Sequence, residues 1–408
     1  MRVIYFTNHL RGPKGSAGAR SWHQVIALQK KFYIDVFLPS IDPVTEANIY
    51  PEQYEGIDYA KVNIHPIYCG KLNRSSKINR LIFFIRFAFA AFLKSFYIKN
   101  VICISTMSLP LTLLAAAVSA AKLRKIPVIV DVRDIPFDVA SDTGYIQPIW
   151  FNNMLLQIEA SLLRGCDIIS IVSPRYEQFL IGKGVSKQYI NYLPIGFDDF
   201  EVFEGEKCGR SYLEQQFGER KLDVLFLYSG TLGYVNDIEP ILRLAELFKN
   251  TNDIGFVVAG DGQRIEYWKG ESARRGINVK FVGRVTKQDV AAICKGVDIC
   301  LHTAGYGTAV NSILGNKIFD YMGAGKVVLH FGPQCAVSDL IEAEKCGVSV
   351  INGDIDELYV KARQLCDDAD LRSIYGSAGL RAVRARYLAQ QSADGYSELI
   401  TRFEQIRN

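Results

Sequence analysis

The sequence has no uninterrupted apolar run of about 18 residues or more, so no segment reads as a membrane-spanning helix. The nearest approach, residues 81–93 (LIFFIRFAFAAFL), is short and carries Arg86 in its middle. Cysteine pairs are missing as well. The nine cysteines include no CxxC, and several, such as Cys103 and Cys300, lie inside apolar strand-like runs where Cys behaves as a small hydrophobe. An odd, unpatterned set fits a reducing cytoplasm better than a secreted disulfide framework. The five histidines share no ligand spacing. The string Asp354–Asp356 sits at a helix start, where it reads as a cap. No metal or other cofactor is therefore expected. His9 and His302 end strands, where a lone histidine is more often structural than catalytic. Charge of one sign is also scarce: 47 basic against 43 acidic residues leave +4, too little to argue for nucleic acid. Neither the dinucleotide fingerprint G-x-G-x-x-G nor a G-x-x-x-x-G-K-[ST] phosphate loop is present. The opening MRVIYFTNHL turns polar too soon for a signal peptide and reads as a first strand. No short internal repeat is visible.

What is present is an ordinary folded composition, 49% hydrophobic and 22% charged, over 408 residues. That length exceeds what one compact core usually supports, so two domains are expected. Strand-like runs alternate with helical ones, the pattern of a parallel sheet with crossover helices. The first series of strands is expected at 2–7, 33–38, 101–105, 128–130 and 168–172, with helices at 19–30 and 111–123. A second series falls at 224–228, 255–258, 279–282, 299–302 and 327–331. Each series opens with a strand followed by a glycine-bearing turn, which predicts an α/β protein of two doubly wound, Rossmann-like domains facing a central cleft. The Pro- and Gly-bearing segment 193–200 (LPIGFDDF) is placed as the hinge. The expected division is 1–195, 196–385, and a C-terminal helix, 386–408, returning to the first domain.

Glycine turns follow strands at 12–18 (GPKGSAG), 230–233 (GTLG) and 260–262 (GDG). Each could let backbone approach a phosphate or sugar closely, and each could equally be a simple chain reversal. Gly15, Ser16, Gly230, Thr231, Gly260, Asp261 and Gly262 are the binding candidates they supply. The most informative stretch is 315–328, GNKIFDYMGAGKVV. Ile318, Tyr321 and Met322 repeat at helical spacing and bury one side, while Asn316, Lys317 and Asp320 fall together on the other. Gly323 and Gly325 are expected to end the helix. Its start offers unpaired N–H groups and partial positive charge, suited to a diphosphate, with Lys317 for phosphate and Asp320 for sugar hydroxyls. The competing reading is an exposed Lys317–Asp320 i,i+3 pair on a surface helix.

Taken in order, several segments resemble the family-4 glycosyltransferases, retaining enzymes with the two-domain GT-B fold. The specific runs are Phe256 to Thr303 (FVVAGDGQRIEYWKG…GINVKFVGRVTKQDVAAICKGVDICLHT) and the NKIFDYMGAGKVV that follows. Residues 100–134 resemble the first domain of the bacterial surface-polysaccharide branch, down to the tripeptide Val132–Arg133–Asp134. The resemblance places the second carboxylate of the family's Glu-x7-Glu pattern at Asp320, holding ribose hydroxyls, and the first at Ser312, where this chain departs from the pattern. The Arg and Lys of many relatives are absent from the loop GTLGYVND, where Thr231 and Asp237 stand, and Ile195 replaces the Asn of a Pro-Asn-Gly linker motif. It leaves Lys317, backbone N–H groups of Asn316, Ile318, Gly230 and Thr231, and Arg133 or Lys14 to neutralise the diphosphate. Arg284 falls where relatives contact the base. Asp134 or Asp131 would orient the acceptor, or else pair with Arg133.

The implied partners are a nucleotide-sugar donor, which is a substrate and not a cofactor, and a glycan or lipid-linked glycan acceptor, without nucleic acid. The implied activity is metal-independent glycosyl transfer, hexosyl or N-acetylhexosaminyl, in O-antigen, capsule or exopolysaccharide assembly. A nucleotide-sugar epimerase of the same fold and a non-catalytic nucleotide-sugar-binding homologue are the alternatives. Residues 77–99 interleave Lys77, Arg80, Arg86, Lys94 and Lys99 with aromatics, which suits an anionic membrane surface. A helix buried against the first sheet suits the same pattern, because these positions do not segregate onto one face. The branch's lipid-linked acceptors favour membrane contact, and with it a cytoplasmic protein at the inner face of the membrane.

Overall fold

A computed structural model describes all residues except 13–18, 44–45, 51–53, 74, 199–208, 219–220, 234–236 and 408, and the side chains of 288 and 405–407. The chain divides into two compact units, Met1–Ile195 with Ala389–Asn408, and Gly196–Leu388. The first unit holds strands β1 (Arg2–Phe6), β2 (Tyr33–Pro39), β3 (Val62–Ile67), β4 (Val101–Met107), β5 (Val128–Val132), β6 (Ile168–Ile171) and β7 (Ile190–Tyr192). The second holds β8 (Val224–Ser229), β9 (Ile254–Ala259), β10 (Val279–Gly283), β11 (Ile299–Thr303), β12 (Val327–Gly332) and β13 (Gly347–Ile351). The sheet orders are β3-β2-β1-β4-β5-β6-β7 and β10-β9-β8-β11-β12-β13. Every pairing between these strands is parallel. Each unit is thus doubly wound, with its first strand central and a reversal of strand order beside it.

The central strands are buried along their whole length, as β4, β5, β8 and β11 show. A parallel sheet covered on both faces demands such continuous apolar runs. β3, β7 and β13 were not expected from the sequence, and all three are sheet edges with mixed burial. Pro66 lies within β3, where an edge position tolerates the missing N–H.

The helix Ala389–Arg407 belongs to the first unit, where Tyr396, Leu399, Ile400 and Phe403 join the core with Val25 and Leu28 of the helix Ala19–Leu28. Polar contacts tie the same region. Arg20 forks onto Asp131 of β5 at 2.8 and 2.9 Å. It also donates to the carbonyl of Pro194 (2.5 Å) and to Ser392 (3.1 Å). Arg133 and Ser170 bond the same carboxylate at 2.8 and 2.5 Å. These two cations and the hydroxyl hold Asp131 far below its ordinary 3.8 despite burial that opposes ionisation.

The helix Lys77–Ser95 has two apolar faces. Phe83, Phe87, Ala88 and Ala91 are buried, while Ile78, Ile82, Ile85, Phe89 and Leu93 are exposed on the opposite side. The expected burial holds for one face of this helix, and the other face is exposed. The helix Ile149–Leu163 likewise exposes Ile149, Trp150, Met154 and Ile158.

Replacing Asp131 by Ala strands the buried Arg20 guanidinium and the partly buried Arg133, so the first unit should lose about 3–5 kcal/mol of stability, read from its urea midpoint. Because Asp131 titrates below its unfolded value, its stabilisation is present above about pH 4 and fades as pH falls further. An unchanged midpoint in Asp131→Ala would remove its structural role.

Candidate functional site

The site is built where β8 and β11 end and a short helix begins. Helix Asn316–Gly323 buries Ile318, Phe319, Tyr321 and Met322, which fixes its angle against the second sheet. Tyr321 anchors it: its hydroxyl accepts from the backbone N–H of Ser229 at 2.7 Å, at the end of β8. Gly315 precedes the first turn, with no side chain capping it. Gly325, in the left-handed region at φ 68°, lies just past the helix end.

A cavity of about 470 Å³ opens there, lined among others by Gly230, Thr231, His302, Thr303, Asn316, Lys317 and Cys335. Lys317 reaches across it, its Nζ 3.4 Å from the Tyr228 hydroxyl and 4.6 Å from the centre of the Tyr228 ring. Burial lowers this ammonium to about 8. The expected convergence of Lys317, Asn316, Gly230 and Thr231 is therefore what the fold brings together.

Other candidates lie elsewhere. Asp320 does not line this cavity; burial raises it to about 6, against the opposing charge of Lys287. Lys287 in turn pairs with Asp198. Lys317 and Asp320 thus have different neighbours, and the surface-pair reading does not describe them. Ser312 is fully buried, and its hydroxyl donates to the carbonyl of Thr308 at 2.8 Å. Ile318 contributes only backbone, its side chain lying in the core. Arg284 is exposed just after β10, away from the cavity wall.

Gly260 and Gly262 have a different reason for being glycine than ligand approach. A Cβ on Gly260 would stand 1.8 Å from the carbonyl oxygen of Gly230, and one on Gly262 2.4 Å from that of Leu232. The turns after β8 and β9 are packed backbone on backbone and joined by Leu232 N–H to Asp261 O at 3.0 Å. Asp261 itself is exposed. These residues support the turn that lines the cavity and are not in its wall.

In the first unit, Arg133 is bound to Asp131, Ser21 (2.9 Å) and Gln24 (3.4 Å), so its guanidinium serves that network. Asp134 is exposed beyond β5. Lys14, Gly15 and Ser16 lie outside the described residues. Asp354 caps the helix Ile355–Asp367, accepting from Glu357 N–H at 2.8 Å.

The histidines share no spacing in sequence, yet His302 and His330 are register partners on β11 and β12, and their Nδ1 atoms lie 2.9 Å apart. Cys335 completes a buried cluster with them. Strand pairing across 28 positions leaves no local signal, which is why the sequence hides it. Burial lowers both rings, His330 to about 4, so both are neutral at pH 7.

Residues 210–381 match the model of the family described as glycosyl transferases group 1. Solved structures resemble nearly the whole chain. Sucrose-phosphate synthase from Thermosynechococcus elongatus matches with TM-score 0.73 at 14% identity, covering 99% of each chain. HepE from Anabaena, solved with UDP-glucose, matches at 0.68 and 14%, covering 98% of this chain and 100% of that one. WaaG, a glycosyltransferase involved in lipopolysaccharide biosynthesis, matches at 0.66 and 13%, covering 98% and 99%. The fold is GT-B. No curated protein matches the sequence.

Substituting Gly260 by Ala drives a methyl into the Gly230 carbonyl from a backbone conformation that disfavours side chains, so the turns must part. The expected result is a loss of at least about 2 kcal/mol in the second unit together with weaker ligand binding at the cavity. Wild-type melting and binding in Gly260→Ala would show that the turns are not so coupled.

Proposed function

We propose that this protein is a retaining glycosyltransferase that moves a sugar from a nucleotide-diphosphate donor to a bacterial glycan acceptor. The single observation that carries the reading is the half-buried Lys317 at a helix start, facing the Gly230–Thr231 turn across a cavity of ligand size. Helix N–H groups, the turn backbone and one ammonium together make a receptor for two linked phosphates. The family match over 210–381 and the UDP-glucose bound to HepE support the same donor class.

In the reaction, the bond from the anomeric carbon to the phosphate oxygen breaks and the nucleoside diphosphate leaves with its electron pair. The acceptor hydroxyl supplies the new oxygen, and its proton passes to the departing phosphate. Lys317 and the neighbouring N–H groups stabilise the charge that grows on that leaving group, in a site kept partly from water. The ribose-binding role that the family resemblance gives Asp320 would need its carboxylate, which does not line this cavity, to be reached by the donor.

A second reading has its own support. Ser312 is buried and bonded to backbone, and no carboxylate is among the cavity-lining residues described. A protein that binds nucleotide sugars without transfer would show this arrangement.

The acceptor side rests on two exposed apolar helix faces, Lys77–Ser95 with Phe89 at 63% exposure and Ile149–Leu163 with Trp150 at 66%. Lys77, Arg80, Arg86 and Lys94 are exposed on the first of these helices. No helix among the described residues is long and apolar enough to cross a membrane. Apolar side chains with basic neighbours suit the inner face of an anionic bilayer and a lipid-linked acceptor.

Lys317→Ala should lower kcat with a panel of UDP-, GDP- and dTDP-sugars by roughly 10²–10³, about 2.7–4 kcal/mol in the barrier. Nucleoside diphosphate binding to the wild type should weaken as pH rises through about 8, where the ammonium loses its proton, and Lys317→Arg should flatten that limb. Full turnover in Lys317→Ala would end the assignment, and tight donor binding with no transfer would select the second reading.

Phe89→Asp with Trp150→Glu should abolish flotation on vesicles containing anionic lipid while leaving transfer to a water-soluble acceptor unchanged. Equal flotation of the double variant and the wild type would remove the membrane contact.

A further inference from the structure

We infer that His302, His330 and Cys335 form a binding site for a zinc-type divalent cation, with one coordination position open to the Lys317 cavity. The inference stands apart from glycosyl transfer, since it concerns ion binding by side chains placed by β11, β12 and the turn after β12. One ring nitrogen of each histidine and the Cys335 sulfur lie within 4.8 Å of one another, and all three residues are buried. His302 and His330 are held side by side by strand register, so their approach is a property of the sheet rather than of mobile loops. Cys335 follows β12 closely and stands at the start of the helix Ala336–Glu344.

The proton inventory favours ligation. The Pro333 carbonyl, 3.3 Å from His330 Nε2, can only accept, so the tautomer protonated on Nε2 satisfies that contact and leaves Nδ1 of His330 bare. The proton between the two Nδ1 atoms then belongs to His302. A ligating histidine whose other N–H donates to a backbone carbonyl is the arrangement that fixes ring orientation in metal sites. Cys335 is supported in the same way. The Ser338 N–H points at its sulfur at 3.5 Å, in the first turn of a helix, where negative charge is stabilised.

The donor set of two imidazoles and a thiolate matches zinc and related ions of intermediate softness rather than magnesium or calcium, which prefer oxygen. Bond lengths of about 2.0–2.1 Å to nitrogen and 2.3 Å to sulfur place tetrahedral ligand atoms roughly 3.3–3.6 Å apart. The Nδ1 pair at 2.9 Å must open slightly, and Cys335 Sγ, 3.8 Å from His330 Nε2, must turn towards the ion. On binding, His302 moves its proton from Nδ1 to Nε2 and the Cys335 thiol releases its proton to solvent. The thiolate offsets half of the ion's charge. The remainder sits near Lys317, whose ammonium is directed to the Tyr228 ring and hydroxyl. His302 and Cys335 both line the cavity, so a water or an oxyanion can take the fourth position. Three protein ligands with an open place is the pattern of zinc sites that meet substrate.

Cobalt(II) reports the site where zinc is silent. Titrated into full-length protein previously treated with chelator and reductant, Co²⁺ should bind at one equivalent, with the visible bands of a tetrahedral ion and a near-ultraviolet thiolate-to-metal band. Cys335→Ser should lose the thiolate band, and His330→Asn should weaken binding more than tenfold. Zinc should displace cobalt from the wild type. Circular dichroism of each variant checks its fold, and either variant alone suffices if the other is misfolded. No stoichiometric spectrum in the wild type, or an unchanged spectrum in a folded variant, would overturn the site.

Discussion

Burial of both faces of each parallel sheet is the constraint from which the other features follow. Parallel strands need a crossover between each pair, and the crossovers cover both faces with helices. The central strands must then be apolar throughout, as β4, β5, β8 and β11 are. Polar chemistry is displaced to the carboxyl ends of the strands, where turns emerge. In the second unit this puts Gly230, His302, Thr303 and the start of the helix Asn316–Gly323 around one cavity. The reversal of strand order between β8 and β11 opens the space for it.

Within that frame, close approach of backbone to backbone sets the shape of the cavity wall. The turns after β8 and β9 touch at Gly230 and Gly260 with no room for a Cβ. Tyr321 then pins the helix to the end of β8 through Ser229. Lys317 emerges from the first turn of that helix, and its partial burial against Tyr228 makes its ammonium easier to deprotonate. Electrostatic function at this site therefore depends on packing several residues away. In the first unit a comparable dependence runs through Asp131, where Arg20 joins β5 to the segment around Pro194 and to the C-terminal helix, and Arg133 joins it to the helix Ala19–Leu28.

Legibility followed burial. Strands buried on both faces appeared in the sequence as apolar runs, whereas three of the four edge strands, β3, β7 and β13, did not; β10 is the edge strand that was readable. The helix carrying Lys317 was readable because Ile318, Tyr321 and Met322 repeat at helical spacing. Gly260 and Gly262 were readable as turn residues, but the reason for glycine there, a neighbouring carbonyl, comes from a strand distant in sequence. Arg133 looked available for a ligand because two of its partners, Ser21 and Gln24, come from the distant helix Ala19–Leu28.

The sequence by itself determined the alternation of strands and helices, the two doubly wound units and the polar start of the helix at Asn316–Lys317. Each of these rests on local periodicity, which a linear chain displays. Tertiary structure alone decided which polar groups meet: His302 with His330 and Cys335, and Asp320 near Lys287. Pairing of parallel strands joins residues far apart along the chain. Their chemistry depends on register and burial, and neither is written in the spacing of the residues themselves.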